Sequence, residues 1–152
     1  MELSQNDRRI LDLLQADCRL SNQQLADRLN LSPSACWRRV RALEEAGLVR
    51  GYVALLDAER VGLRFSAIAM VSLARHDRSN VENFVEQVRV RPEVVACHAT
   101  TGDADYHLHV IAADLAAYNA FLDDFLFRLP GVSQVRTSLV LKEIKRTTRL
   151  AL

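Results

Sequence analysis

Lysine is nearly missing from this chain of 152 residues: two lysines stand beside eighteen arginines. Its positive charge therefore rests on planar guanidinium forks, which suit phosphate and base edges better than an ammonium point charge does. Cysteine is also sparse. Cys18, Cys36 and Cys97 are odd in number and widely spaced, contain no Cys-x-x-Cys pair, and read as reduced packing thiols of a cytosolic protein. The start, Met-Glu-Leu-Ser, lacks the basic and apolar regions of a secretory signal, and no apolar run reaches membrane-spanning length. A soluble, cytoplasmic protein is expected. No Gly-rich phosphate loop, Walker motif or Gly-x-Ser-x-Gly elbow occurs, so the common nucleotide and acyl-transfer chemistries have no foothold. Net charge is only +1, and residues 1–50 likewise carry eight arginines against seven acidic residues. Any affinity for nucleic acid must then come from local placement, and a second copy would be needed to multiply a weak contact.

What the chain does have is two helix-start signals eleven residues apart. Ser21 with Gln24 makes a capping box, and Leu20 with Leu25 has the spacing of a hydrophobic staple. Ser32 begins the second start, Pro33 takes the first helical position where no amide hydrogen is needed, and Leu31 and Cys36 repeat the staple spacing. Asn30 between them tolerates the left-handed conformation of a sharp turn. This is the layout of a helix-turn-helix.

The second helix is expected to run from Pro33 to Ala46, with Gly47 as its exit. At 100 degrees per residue Cys36, Val40 and Leu43 share the packed stripe. The opposite face carries Ser34, Arg38, Arg41 and Glu45, flanked by Ala35 and Trp37, and an exposed face rich in arginine suits the negatively charged groove of DNA. Arg38 and Arg41 are read as DNA contacts, to guanine edges or to phosphate. Arg39 is read as a backbone clamp or the ion-pair partner of a neighbouring helix. Trp37, on the border of the stripe, is read as a partly buried packing residue in preference to a base contact. The DNA-facing set is thus Ser32, Ser34, Ala35, Trp37, Arg38, Arg39 and Arg41.

Punctuation divides the chain in three: a helix-turn-helix over 1–50, a hinge strand and linker over 51–62, and a ligand module over 63–152. Residues 48–56 read as a connecting strand. Beyond them the pattern gives a strand over 65–73, a helix with Val81, Phe84, Val85 and Val88 on one stripe, a hairpin of strands 94–101 and 106–112, a helix over 115–129, and a strand over 132–144. Strand, helix, strand, strand, helix, strand is the split βαβ, ferredoxin-like order, so the expected class is α+β: an N-terminal winged helix-turn-helix plus a C-terminal ferredoxin-like βαββαβ domain. Its two helices cover one face of the sheet, and homodimerisation is the simple way to cover the other. With Thr101 paired to Tyr106, His98 would face His109 with His107 on the same face, while Val95, Cys97, Ala99, Leu108 and Val110 would meet the helices. Polar dimer packing is preferred to a metal site for the three histidines. A pH-sensitive interface is a middle reading.

Leu-Ser-Pro-Ser-Ala-Cys-Trp-Arg-Arg-Val-Arg-Ala-Leu-Glu-Glu-Ala-Gly at 31–47 resembles the helix-turn-helix of Lrp/AsnC transcription regulators. Gly-Tyr-Val-Ala-Leu-Leu-Asp at 51–57 resembles that family's hinge strand, Gly-Asp-Ala-Asp-Tyr at 102–106 its effector loop, and Leu-Pro-Gly-Val at 129–132 its entry to the last strand. The resemblance implies a DNA-binding dimer that assembles into octamers or other multiples of two and responds to a small amino acid bound between dimers. It also implies that Ala99, Gly102, Asp105, Leu115, Ser138, Leu139 and Val140 hold the effector. No cofactor besides the amino acid is expected. An ordinary hairpin turn is the plain alternative for the loop. Two departures, Ala35 where many relatives carry proline and Trp37 where they carry an aliphatic residue, imply a different DNA sequence preference. Two other readings of the architecture stay open: a siroheme-decarboxylase-like enzyme, and an architectural DNA-binding protein without an effector.

Overall fold

The computed structural model describes residues 2–74 and 78–152. Two compact units divide the chain, one taking in residues up to Leu55 together with Lys145–Leu152, the other Leu56–Ile144.

The first unit is built on three helices, α1 (Gln5–Ala16), α2 (Asn22–Leu29) and α3 (Pro33–Glu45). Each begins on a serine. Ser4 and Ser21 complete reciprocal capping boxes with Asp7 and Gln24, and the Ser32 hydroxyl accepts the Ala35 amide at 3.2 Å. Asn30 takes φ 54°, ψ 44°, the left-handed turn between α2 and α3. Ile10, Leu25, Ala26, Cys36 and Leu43 meet at the centre of the three helices and are essentially inaccessible to water. The last residues of the chain return here. Gln15 Nε2 donates to the Leu150 carbonyl at 3.1 Å, the Leu150 amide donates to Gln15 Oε1 at 2.6 Å, and Arg149 approaches Asp12 at 3.7 Å.

The second unit is a four-stranded antiparallel sheet with two helices on one face. Its elements are β1 (Phe65–Leu73), α4 (Arg78–Arg89), β2 (Val94–Ala99), β3 (Tyr106–Ala112), α5 (Leu115–Asp124) and β4 (Val132–Leu139), and the sheet order is β2-β3-β1-β4. Alternation along β1 buries Ala67, Ala69, Val71 and Leu73 beneath Phe84, Val88, Tyr118, Phe121 and Leu126. The small residues of β1 let the aromatic side chains approach the sheet closely. Gly131, at φ +83°, turns the chain into β4 where a Cβ would lie 2.7 Å from that of Asn80.

Four sequence expectations need correction. Residues 48–56 form no strand, because no neighbouring strand supplies a ladder, and Val53, Leu55 and Leu56 lie open. The final strand stops at Leu139 for the same reason, leaving Leu141 and Ile144 exposed. The second helix ends at Asp124 and continues as a single tight turn, Leu126–Arg128. The hairpin loop is two residues longer than expected: Ala99 pairs with Tyr106 and His98 with His107, and the Thr100 amide bonds the Asp105 carbonyl while the Asp105 amide is taken by Val71 of β1. Val95, Cys97 and Ala99 are exposed even so: β2 is the sheet edge, and Val95 stands at a register shift between Val94 and Ala96.

Candidate functional sites

The outer face of α3 is set by what its inner face packs. Cys36 and Leu43 are fully buried and Val40 nearly so, which turns Ser34, Arg38 and Arg41 outward. Ser34 Oγ lies 3.2 Å from Ser32 Oγ, so the hydroxyls at the helix start form a pair, with Ser32 acting as the cap. Ala35 is half-buried. Arg39 makes an ion pair with Asp7 of α1 at 3.0 Å and also reaches Ser4, which fixes α3 against α1. Burial alone would raise the Asp7 carboxyl, but bonds from the Ser4 hydroxyl and amide and the guanidinium of Arg39 outweigh it and hold the pKa below 3.8. Arg38 has no hydrogen-bond or ion-pair partner among the described residues and is open to solvent.

Trp37 is more open than the sequence reading expects: the residue is 54% exposed, beside a three-helix core already filled by the Cys36, Val40 and Leu43 stripe. The guanidinium of Arg41 lies 5.9 Å from the centre of the indole ring and 3.2 Å from Glu45. Beyond α3, Tyr52 donates to Glu44 at 2.9 Å, and burial together with that carboxylate pushes its pKa up to about 12. Tyr52 thus anchors the segment that leaves α3.

In the second unit the expected effector residues fall into two groups. Gly102, with φ +128°, and Asp105 belong to the turn between β2 and β3, and Ala99 stands at the end of β2 beside it. Asp105 Oδ2 accepts the Leu73 amide at 2.7 Å, so the carboxylate is fixed against β1. Leu115, Leu139 and Val140 lie towards the other end of the sheet: Leu139 stands opposite Ala67, the Val140 amide bonds Ser66, and α5 starts just after β3 has passed Phe65. Ser138 stands opposite Ile68. From Ala67 to Val71, where Asp105 bonds, is roughly 13 Å at the usual rise of a strand. One copy of the chain does not bring the two groups together.

The sheet face away from the helices carries a pocket of about 300 Å³ lined by Met70, Ser72, Thr101, Asp103, Ala104, His107 and Arg136. A row runs across it from Arg136 through Met70 and His107 to His98, one residue from each strand. The signal was present in the sequence as alternation on β1 and β4, but the register that aligns Arg136 with His107 was not. His107 Nδ1 shares a hydrogen bond with Thr100 at 2.9 Å, and His109 Nε2 with Ser66 at 2.8 Å. No group of three His, Cys, Asp or Glu among the described residues is arranged to hold a metal ion. None of the described helices is long and apolar enough to cross a membrane.

A helix-turn-helix with an arginine-bearing outer face, joined to a separate sheet-and-helix module with a pocket of mixed lining, defines a DNA-binding transcription regulator that carries its own ligand-binding domain. Comparison with known proteins agrees with that class. Residues 66–150 match the Lrp/AsnC ligand binding domain and residues 3–50 a winged helix-turn-helix DNA-binding domain, and the chain belongs to the Lrp/AsnC family. It is 38% identical to the DNA-binding transcriptional activator DecR of Escherichia coli K12, covering 97% of each chain. It is equally 38% identical to the leucine-responsive regulatory protein of that organism, over 99% of this chain and 92% of the relative. The crystal structure of a Neisseria meningitidis transcriptional regulator in its L-Met complex superposes with a TM-score of 0.94 at 43% identity, covering 99% of this chain and 97% of that one. These relatives are transcriptional regulators, which sets aside the decarboxylase reading: the chain is a regulator and not an enzyme.

Proposed function

We propose that the chain is an amino-acid-responsive transcription factor of the cytoplasm, in which two α3 helices of a dimer enter successive major grooves of a roughly palindromic site. The observation that carries this is the outer face of α3, where Ser34, Arg38 and Arg41 are exposed while Arg39 is spent on the pair with Asp7. DNA contact falls to Ser34, Trp37, Arg38 and Arg41, with Ser32 and Ala35 at the helix start beside the backbone.

The effector is a small amino acid. Asp105 offers a held carboxylate for an ammonium group, the Gly102 turn offers unhindered amides for a carboxylate, and Leu115, Leu139 and Val140 offer apolar surface. The separation of these groups along the sheet supports a site shared between copies, the loop coming from one and the Leu115 and Leu139 end from another. The L-Met complex of the Neisseria relative supports the class of ligand. Dimers assembling into an octamer or another multiple of two supply such an interface, and the effector then changes how dimers are arranged along DNA.

The test is a mobility-shift comparison at equal salt on DNA upstream of the protein's own gene. Arg38→Ala and Arg41→Ala should each weaken binding at least tenfold; variants that bind like the parent would move the reading face elsewhere on the unit.

A further inference from the structure

Trp37 is an exposed aromatic residue in a chain that has one tryptophan, and it stands at the flank of the polar outer face of α3. Ser34 precedes it by three residues and Arg41 follows by four, so the indole adjoins the patch on which the DNA reading rests, at its edge. Two further observations bear on its role. Trp37 is not part of the three-helix core, which Cys36, Val40 and Leu43 close on this helix. The ring is also braced, with the Arg41 guanidinium 5.9 Å from its centre and that guanidinium held in turn by Glu45 at 3.2 Å. An arginine over one aromatic face is an attractive arrangement, and the carboxylate one turn further on limits the arginine's own freedom.

We infer that Trp37 is a specificity-determining residue that reads the C5-methyl group of thymine in the major groove, and that Arg41 and Glu45 position its ring. The inference rests on the regulator reading above. Every base pair presents hydrogen-bonding edges in the major groove, but only thymine adds an apolar methyl there, and an apolar side chain is its natural partner. A large rigid indole loses little conformational freedom in making such a contact, and the brace reduces that loss further. Arg38, without a brace, is free to follow the phosphate backbone.

The test uses the full chain and the duplex it enriches most strongly from random DNA. Each thymine in that duplex is replaced in turn by deoxyuridine, which removes one methyl group and leaves every hydrogen-bonding group unchanged. The expected result is a loss of roughly fourfold in affinity at one thymine per half-site, the effect of leaving one methyl group in water. Trp37→Ala should bind the thymine and uracil duplexes equally while keeping the parent's dependence on salt, because no phosphate contact is lost. Trp37→Phe should keep part of the discrimination. Equal binding of thymine and uracil duplexes by the parent, or discrimination that survives in Trp37→Ala, would overturn the assignment. Failure to enrich any duplex would overturn the regulator reading itself, a separate outcome visible before any base is replaced. Thermal unfolding of Trp37→Ala should match the parent; a marked loss of stability would show the indole to be a packing residue and overturn the inference in that way.

Discussion

Arg39 and Asp7, thirty-two residues apart in the chain, meet at 3.0 Å and tie α3 to α1. The pair reinforces the roll of α3 that its buried Cys36, Val40 and Leu43 stripe sets. The same Asp7 completes the capping box on Ser4, so one carboxylate serves the start of α1 and the seating of α3.

A pH dependence follows. The Asp7 carboxyl titrates below 3.8 in the folded chain and at about that value unfolded, so its contribution is complete above 3.8 and is lost as the pH falls through the lower folded value. Asp7→Asn should lower stability at pH 7 by about 1 kcal/mol, since the cap weakens and the partly exposed ion pair adds little more. For a unit of this size that is roughly a 5 °C fall in melting temperature by calorimetry. The gap between parent and variant should close as the pH falls through that lower folded value.

Asn30 holds the left-handed turn that separates α2 from α3. Asn30→Ala should cost about 1 kcal/mol through the steric penalty of that conformation, and Asn30→Gly should be near neutral. Denaturant unfolding of the two variants checks the order; equal stability would mean the turn can adopt another geometry.

Asp105 offers a cleaner test of the effector site than removal of its side chain. Because Oδ2 accepts the Leu73 amide, Asp105→Ala loses a structural bond as well as the charge, whereas Asp105→Asn keeps an acceptor there. Asp105→Asn should fold with a melting temperature close to the parent's, retain DNA binding and lose the effector response. A full response would remove Asp105 from the ligand site.

The distance between the two effector groups gives a mixing experiment. Asp105→Asn damages the loop end of a shared site and Leu139→Asp the other end, so each variant alone should fail to respond. Chains of the two kinds refolded together should regain part of the response, because some sites then combine two intact ends. No recovery would place the whole site within one copy.

What the sequence made legible was local. Ser21, Asn30, Ser32 and Pro33 each declare a helix boundary through their own side chain or ring, and α2 starts and stops, and α3 starts, where those residues say, while α3 ends at Glu45, one residue before the expected Ala46. Ser4 and Asp7 carry the same signature for α1, and could have been read in the same way. What depended on a partner strand was not legible. Residues 48–56 and 141–144 have the composition of strands, but a strand exists only when another supplies its hydrogen bonds, and none does so among the described residues. The hairpin was misregistered by two because its turn is fixed by the Asp105 amide bonding a third strand, a contact invisible to hairpin rules. The two-residue error preserved the faces, so His98, His107 and His109 still share the side away from the helices. Trp37 is more open than its position at the border of the core on the helix wheel suggests, because smaller residues fill that core.

The most direct measurement is a mobility-shift titration of the full chain on the DNA upstream of its own gene, with and without each of the twenty amino acids. Tight, salt-dependent binding that one or a few amino acids change severalfold is the predicted result. Tight binding that no amino acid alters would contradict the account of Asp105 and Gly102 as an effector site and leave a DNA-binding protein without a ligand switch.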